Sequence, residues 1–156
     1  MKRDNRRESL LQIQQRLRQE LRACNYERKY IARAAGVSDK TISAYLHKNV
    51  LPALDTFARL CIVMEVSADF ILNGEGDFPN DADPASVSVQ AIHKNLCEAI
   101  ATSGKPHKEI AEAVGVSNRT ISAYLHSGVF PALDTLAALC RVLDVSADFI
   151  LGISRI

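Results

Sequence analysis

The sequence contains one long stretch twice, 79 residues apart. Gly36–Leu72 aligns without a gap to Gly115–Leu151, and 27 of the 37 aligned positions are identical. Upstream the identity fades, but an apolar residue at every fourth position persists in both copies. Two copies are too few for a solenoid, in which stacked repeats share one continuous core. The repeat therefore predicts two similar globular domains of about 63 residues each, a length at which small domains fold.

A segment of different composition separates the two copies. Residues 74–90 contain two glycines, two prolines and four acidic residues, and no basic residue. Glycine, proline and like charges together are typical of an exposed linker. The predicted division is a first domain over residues 1–73, an acidic linker over 74–90 and a second domain over 91–156.

The overall net charge of +1 hides an asymmetry between these parts. The first domain, together with its basic N-terminal tail (Lys2, Arg3, Arg6 and Arg7), has a net charge of +5. The linker has a net charge of −4, and the second domain up to residue 152 has −1. An electrostatic attraction to a polyanion would therefore come mainly from the first domain.

Several classes of protein are disfavoured by what the sequence lacks. No apolar run approaches the roughly 18–20 residues of a membrane helix, and the charged first residues do not form a secretory signal. The four cysteines (Cys24, Cys61, Cys97 and Cys140) are far apart, which disfavours zinc sites and disulfides and favours reduced thiols in a cytosolic protein. No histidines stand at metal-ligand spacing, and nothing resembles a nucleophile with its base, a phosphate loop or a carboxylate pair. We expect no enzyme activity, metal or cofactor, and no small-molecule ligand is evident.

Each copy shows the periodicity of five helices, and copy two shows it most clearly. Pro106 suits the first turn of a helix, Gly115 suits the left-handed residue that ends one, and Ser117 and Ser146 suit N-caps. Because no stretch alternates with period two, the predicted fold class is all-α. The predicted inward residues, helix by helix, are Ile92, Leu96 and Ile100; Ile110, Ala111 and Val114; Ile121, Tyr124 and Leu125; Leu133, Leu136, Ala137, Cys140 and Leu143; and Phe149, Ile150 and Leu151.

The short connection between the second and third helices has the spacing of a helix-turn-helix. This motif needs a small residue where the two helices touch, a glycine in the sharp turn and an aliphatic anchor in the third helix. Those residues are Ala32, Gly36, Val37 and Ile42 in copy one, and Ala111, Gly115, Val116 and Ile121 in copy two.

With this motif in both copies, the chain resembles the Cro-like and phage-repressor-like (Xre-type) helix-turn-helix family over Ile13–Leu72 and Ile92–Leu151. Each motif is followed by a proline, a fourth helix and the ending Val-Ser-Ala-Asp-Phe-Ile-Leu. The resemblance implies two tandem five-helix lambda-repressor-like domains joined by the acidic linker. It also implies double-stranded DNA as the partner.

In this family the third helix lies in the major groove, and its outward residues read the bases. The chemistry of copy two suits that role, because Arg119 can pair with guanine and Asn118 with adenine. Ala44 and Ala123 are small enough to contact a thymine methyl group. The outward positions that the resemblance assigns are Ser38, Asp39, Lys40, Ser43, Ala44 and His47 in copy one, and Ser117, Asn118, Arg119, Ser122, Ala123 and His126 in copy two.

Phosphate contacts would hold the register without reading sequence. In the family they come from the start of the second helix, where Arg28 and Lys29 stand in copy one and His107 and Lys108 in copy two. All these polar positions, including the basic tail, also fit a simply solvated surface. Further phosphate candidates are Thr41, Thr120, Lys48 and Asn49.

The loop after the third helix departs from the family. Leu51 and Phe130 precede the proline where a polar residue is more usual, which puts a phosphate contact there in doubt. Their apolar side chains either pack locally or contact another domain or chain.

The leading hypothesis is a sequence-specific DNA-binding transcriptional regulator, a repressor, in the cytoplasm or nucleoid of a bacterium or in a phage. The alternative is a protein-interaction module in which one copy has lost DNA binding. Copy two, which is near neutral and has an apolar loop, fits that alternative better. Two assemblies are open: one chain acting as its own pseudo-dimer, or a homodimer with Leu51, Phe130 or the Ile153/Ile156 tail at the interface.

Overall fold

A computed structural model describes residues 2–76 and 82–153, with side chains from residue 9 onward. This part of the chain contains helices and no strand, so the all-α prediction is confirmed. The helices are α1 (Lys2–Ala23), α2 (Arg28–Ala35), α3 (Asp39–His47), α4 (Leu54–Met64), α5 (Ala68–Asn73), α6 (Val89–Thr102), α7 (His107–Val114), α8 (Asn118–His126), α9 (Leu133–Leu143) and α10 (Ala147–Leu151), with a 3₁₀ turn at Pro84–Ser86.

Helices α6–α10 follow one another in the same order as α1–α5. We call α1–α5 the first helical set and α6–α10 the second. Gly36 and Gly115 end α2 and α7 at φ values of 75° and 89°, a left-handed conformation that glycine adopts without a steric penalty. Ser38 and Ser117 cap α3 and α8. The caps predicted at Gly115 and Ser117 are therefore confirmed.

With two exceptions, the core contains the apolar residues that the periodicity predicts in copy two. Leu125 is half-buried and packs against this core. Phe149 is 38% exposed, so the prediction that it points inward is wrong. Cys61 and Cys140 occupy equivalent buried positions in α4 and α9. Burial raises the pKa of the Cys61 thiol well above its usual value and that of Cys140 to about 12, so both remain protonated and act as small apolar residues.

Part of the segment predicted to be an exposed linker is packed, and that part of the prediction is wrong. The 3₁₀ turn at Pro84–Ser86 lies against α2 and α4, and Val87 is buried. Arg59 in α4 donates a hydrogen bond to the Val87 carbonyl at 3.4 Å. The second helical set begins at Val89 and not at residue 91. Burial of the Val87 side chain and the hydrogen bond to its carbonyl stabilise this packed conformation, although the surrounding composition is typical of a loop.

Two further boundaries differ from the prediction. The basic segment predicted to be a tail continues α1 as helical backbone from Lys2. Pro106 is the N-cap residue of α7 and not part of its first turn, with φ −61° and ψ 145°. Asp77 and Asp81, two of the four linker acids, lie outside the described residues.

The two helical sets pack directly on each other. Helix α10 contacts α4 and α5, and α9 contacts α1 and α5. At the centre, the Ala68 N–H donates to Asp148 Oδ1 at 2.7 Å, and the Ala147 N–H donates to Asp69 Oδ1 at 2.8 Å. Each aspartate thus accepts a hydrogen bond from the first turn of the other set's last helix.

The environment of Asp148 changes its protonation. Burial, and to a smaller extent the neighbouring Asp69 carboxylate, raise the pKa of this carboxyl, whereas the hydrogen bonds from Ser67 and Ala68 lower it. The net effect places the pKa of Asp148 at about 6. The thiols of Cys61 and Cys140 are in electrostatic contact with this pair, and both stay neutral. The folded protein therefore binds a proton here more tightly than the unfolded chain does.

This shift predicts a pH dependence of stability. Because the folded pKa lies above the unfolded value, the contribution of Asp148 is full below about pH 4 and is lost as the pH rises through about 6. The free energy of unfolding, measured with urea at several pH values, should fall across that window. Asp148→Asn imitates the protonated carboxyl and should remove this fall, whereas the exposed control Glu98→Gln should keep it. An unchanged pH profile in Asp148→Asn would contradict the assignment.

Candidate nucleic-acid interface

Both helical sets fold a sharp turn between their second and third helices. The Val37 N–H donates to the Ala32 carbonyl at 2.9 Å, and the Val116 N–H donates to the Ala111 carbonyl at 3.0 Å. The two alanines are buried where the helices touch. A larger side chain at either alanine would push the helices apart, which explains the small residue in the motif.

The serines before α3 and α8 fix where each helix begins. Ser38 Oγ accepts a hydrogen bond from the Thr41 N–H at 3.2 Å, and Ser117 Oγ accepts one from Thr120 at 3.1 Å. The hydroxyls of each serine–threonine pair also lie 3.0 and 2.9 Å apart. These four hydroxyls, predicted as DNA contacts, therefore already take part in helix capping.

The predicted reading residues lie on one face of each helix. Spacings of three and four residues place them side by side along α3 and α8. Ser43, Ala44 and Ala123 are half-buried at the base of this face. Its exposed residues are Asp39, Lys40 and His47 on α3, and Asn118, Arg119, Ser122 and His126 on α8.

The phosphate candidates are exposed at the starts of α2 and α7. Arg28 and Lys29 lie in the first turn of α2, and His107 and Lys108 in that of α7. Neither helix receives a cap from the side chain of its N-cap residue. The N–H groups in the first turns of α2 and α7 therefore need other hydrogen-bond partners. The positive end of the helix dipole at these termini favours an anionic partner.

An exposed aromatic pair beside Arg28 was not foreseen from the sequence. The rings of Tyr26 and Tyr30 lie 4.7 Å apart, and both side chains are exposed. The equivalent positions in the second set are Lys105 and Glu109. The departure from the repeat at these two positions is the sequence signal that identifies the pair.

The two faces differ in charge. Residues 27–49 contain five basic and two acidic side chains, whereas residues 106–128 contain two of each. Surface cations determine the sequence-independent part of nucleic-acid affinity. The first face is therefore the stronger candidate for phosphate contacts, as the segment charges predict.

Helix α1 holds the C-terminal end of α3 in place, which the sequence did not reveal. Arg18 donates to the Tyr45 carbonyl at 3.0 Å and to the Lys48 carbonyl at 2.7 Å. Gln14 also donates to the Lys48 carbonyl, at 3.2 Å. These bonds satisfy carbonyls that a helix end leaves unpaired. Lys48, predicted as a phosphate contact, thus has its backbone anchored and its side chain exposed.

The second set uses a different residue for the same purpose. His93, which stands where Gln14 does in the repeat, lies with Nε2 3.0 Å from the Tyr124 carbonyl. A carbonyl only accepts, so this nitrogen donates. The His93 ring also meets Phe130 edge-on at 6.4 Å. Helices α3 and α8 are thereby both held near their C-terminal ends by the first helix of their set.

The apolar loop residues pack locally within the chain. Leu51 and Phe130 are partly buried against the core, and Ile153 is buried. Leu51, Phe130 and their prolines border an apolar cavity of about 410 Å³ between the two sets. Leu51 and Phe130 thus keep part of their surface exposed, and Ile156 lies outside the described residues.

The described residues contain neither a metal site nor a membrane span. Within residues 2–76 and 82–153, histidine, cysteine and carboxylate side chains form no cluster of three or more that could bind a metal ion. In the same ranges, every helix is too short or too polar to cross a bilayer.

Comparisons with known proteins identify part of this arrangement. Residues 102–150, which include α7, α8 and α9, match the family described as "Helix-turn-helix". The chain is similar to an uncharacterized HTH-type transcriptional regulator, YobD, of Bacillus subtilis (strain 168), with 34% identity over 62 residues. That alignment covers 37% of this chain and 55% of the relative, so the chain spans about half of the relative's length. No solved structure gave a significant match. Residues 102–150 therefore form a helix-turn-helix domain.

Proposed function

We propose that this chain is a sequence-specific DNA-binding transcriptional regulator, acting as a repressor, with α3 and α8 as its two recognition helices. The helix-turn-helix match over residues 102–150 supports DNA binding for the second set. The similarity of the chain to an HTH-type transcriptional regulator supports the regulatory role. The exposed polar face of α8, on a helix fixed at both ends, is the observation that carries the proposal.

The same role extends to the first set. Its α2 and α3 have the same glycine end and serine cap, and α3 lies within Gly36–Leu72, the stretch of high sequence identity to the second set. Its face is also the more basic one. The first set then supplies most of the phosphate contacts, and the second supplies the better base-reading side chains, Asn118 and Arg119.

One chain then acts as its own pseudo-dimer. Single-domain relatives place two recognition helices in successive major grooves by dimerising. Here the second recognition helix comes from the same chain, and contacts between the sets hold it in place. Because Asp39-Lys40 and Asn118-Arg119 occupy equivalent positions, we expect a DNA site with related but unequal halves.

Alanine substitution of Arg28 and Lys29 tests the DNA-binding proposal. Removal of these two cations from the phosphates should weaken binding to all duplexes alike, because neither side chain reads bases. The slope of log K against log salt should become less steep by about 0.9 for each phosphate that the variant no longer neutralises. Fluorescence anisotropy with a random-sequence duplex over a salt series measures both quantities.

The matched control is the pair His107→Ala and Lys108→Ala, which removes the equivalent residues of the second set. We expect a smaller change, because this face has fewer basic residues: residues 106–128 contain two basic and two acidic side chains, against five and two over residues 27–49. An unchanged slope in the Arg28/Lys29 variant would contradict the phosphate assignment. If wild-type protein shows no salt-dependent binding, the result favours the alternative function of a protein-interaction module. The equal numbers of acidic and basic residues over 106–128 are the observation that favours this alternative for the second set.

The pseudo-dimer predicts a monomer in solution. The chain has a mass of 17.1 kDa. The free protein should have that mass, and its complex with DNA should contain one chain for each duplex. Light scattering coupled to size exclusion measures this directly. A stable species of about twice that mass without DNA would favour the homodimer of tandem chains instead.

A further inference from the structure

The contact between α5 and α10 is reciprocal. Asp148 accepts the Ala68 N–H, and Asp69 accepts the Ala147 N–H, at 2.7 and 2.8 Å. Positions 68 and 69 correspond to 147 and 148 at the repeat offset of 79. Position 68 of the first set thus contacts the equivalent of position 69 in the second set, and the reverse contact is also made. Such a reciprocal contact indicates that the two surfaces are related by a two-fold axis. The same segment of each set therefore meets its own copy.

Further bonds strengthen this contact. Ser67 donates its hydroxyl to Asp148 Oδ2 at 2.5 Å, and the Asp148 N–H donates to Asp69 Oδ2 at 3.2 Å. Each carboxyl group accepts hydrogen bonds on both of its oxygens. We call this group, made of Ser67, Asp69, Asp148 and the N–H groups of residues 68, 147 and 148, the carboxylate clasp.

The clasp is connected to the recognition helices through packed elements. Helix α5 packs on α4, which packs on α2, and α2 packs on α3. The same order, α10 to α9 to α7 to α8, holds in the second set. Packed helices transmit displacement because interiors have low compressibility. A change at the clasp therefore changes the placement of α3 relative to α8.

We propose that Asp69 and Asp148 are positioning residues that fix the separation and orientation of the two recognition helices, and so the spacing between DNA half-sites that the chain accepts. This inference rests on the proposed DNA binding. The two aspartates do so without touching DNA, because they lie at the contact between α5 and α10.

The aspartates are not needed to cap their own helices. Ser67 accepts the Asp69 N–H at 3.1 Å, and Ser146 accepts the Phe149 N–H at 3.0 Å. Removing both carboxylates therefore leaves each short helix with its own serine cap. It leaves the N–H groups of Ala68 and Ala147 without partners between the sets, which favours separation of the two surfaces.

Distance measurement without DNA is the first arm of the test. Spin labels at Lys29→Cys and Lys108→Cys, equivalent exposed positions, report the separation of the sets in a background carrying Cys24→Ser and Cys97→Ser. The labelled protein should give one narrow distance distribution by pulsed electron spin resonance. Asp69→Ala with Asp148→Ala should broaden it. Asp69→Asn with Asp148→Asn keeps one acceptor oxygen on each side chain, enough for the Ala68 and Ala147 N–H groups, and should narrow it again.

Half-site spacing is the second arm, with unlabelled protein. Duplexes that wild-type protein selects from a random pool are remade with base pairs added to or removed from the centre. Each base pair moves one half-site by about 3.4 Å and rotates it by about 35°. Wild-type protein should prefer its own spacing by about tenfold or more, because a wrong geometry prevents simultaneous engagement. The double alanine variant should bind all spacings within about threefold and keep its affinity for an isolated half-site.

The matched control, Glu75→Ala with Glu98→Ala, removes two carboxylates that lie outside the clasp and should behave as wild type in both arms. An unchanged distance distribution in the double alanine variant overturns the positioning role, whatever the DNA result. A broadened distribution with undiminished spacing preference overturns it as well. If wild-type protein selects no duplex, the proposed function fails, while a broadened distribution would still support the clasp as the device that sets the separation of α3 and α8.

Discussion

Arg119→Ala should weaken binding to a preferred duplex by roughly 1–3 kcal/mol, about 5- to 150-fold, and relax the preference at one base pair. Arg119 is exposed in the first turn of α8, where the Ser117 cap fixes the direction of the helix start. A bidentate guanidinium–guanine pair depends on that direction, because both hydrogen bonds must form in one plane. Binding to a panel of single-base variants of the selected duplex measures both effects.

Two controls separate base reading from general electrostatics. Lys94→Ala removes an exposed cation from α6, away from the predicted reading residues of α3 and α8, and should change affinity for DNA little. Lys40→Ala removes the equivalent residue of α3 and should relax a different base pair in the other half-site. If Arg119→Ala lowers the affinity for every duplex by the same factor, Arg119 contacts phosphate and the reading role assigned to it is wrong.

Phe57→Ala should lower the free energy of unfolding by about 3–5 kcal/mol, and Leu136→Ala by about 2–5 kcal/mol. The two residues occupy equivalent positions in α4 and α9, and both side chains are 0% exposed. Truncation loses their transfer free energy and leaves cavities in a close-packed core. Leu11→Ala is the matched control, because this leucine is 60% exposed and should change stability by less than about 0.5 kcal/mol.

Both core variants should unfold in a single transition. Contacts of α1 with α9 and of α4 with α10 join the sets, so unfolding of one set removes packing from the other. Circular dichroism during urea unfolding would report this as one sigmoidal curve with a lower midpoint. Two separate transitions would show that the sets are independent, and would contradict the coupling on which the clasp proposal also depends.

Local structure was the most predictable part of this protein. The helix ends at Gly115, Ser117 and Ser146 depend on residues within one turn, so the sequence pattern contains all the information that they need. The inward faces depend on a period of 3.6 residues, and Ile92, Leu96 and Ile121 are buried accordingly. The error in the linker was of a different kind, because burial of Val87 and its bond with Arg59 involve residues far away in the chain.

The sequence predicted which residues of α3 and α8 are exposed, but not the contacts that hold these helices in place. The motif placed the exposed residues of α3 and α8, since the family's pattern fixes which positions point outward. The anchoring of α3 by Gln14 and Arg18 joins residues 27 to 34 positions apart. Polar residues on a helical stripe have many possible partners, and only the folded chain selects one. The contact between the rings of Tyr26 and Tyr30 was visible in the sequence only as a departure from the repeat.

The sequence by itself determined that there are two similar helical units, several of their helix ends, and which residues of α3 and α8 are exposed. These properties follow from short-range periodicity and capping, and the same signals occur in both copies, which lie 79 residues apart. The tertiary structure alone decided how the two units meet. The aspartates of the motif Val-Ser-Ala-Asp-Phe-Ile-Leu look like ordinary first-turn acids in the sequence. They accept N–H groups 78 to 80 residues away, because the reciprocal contact satisfies both carboxylates and both helix starts at once.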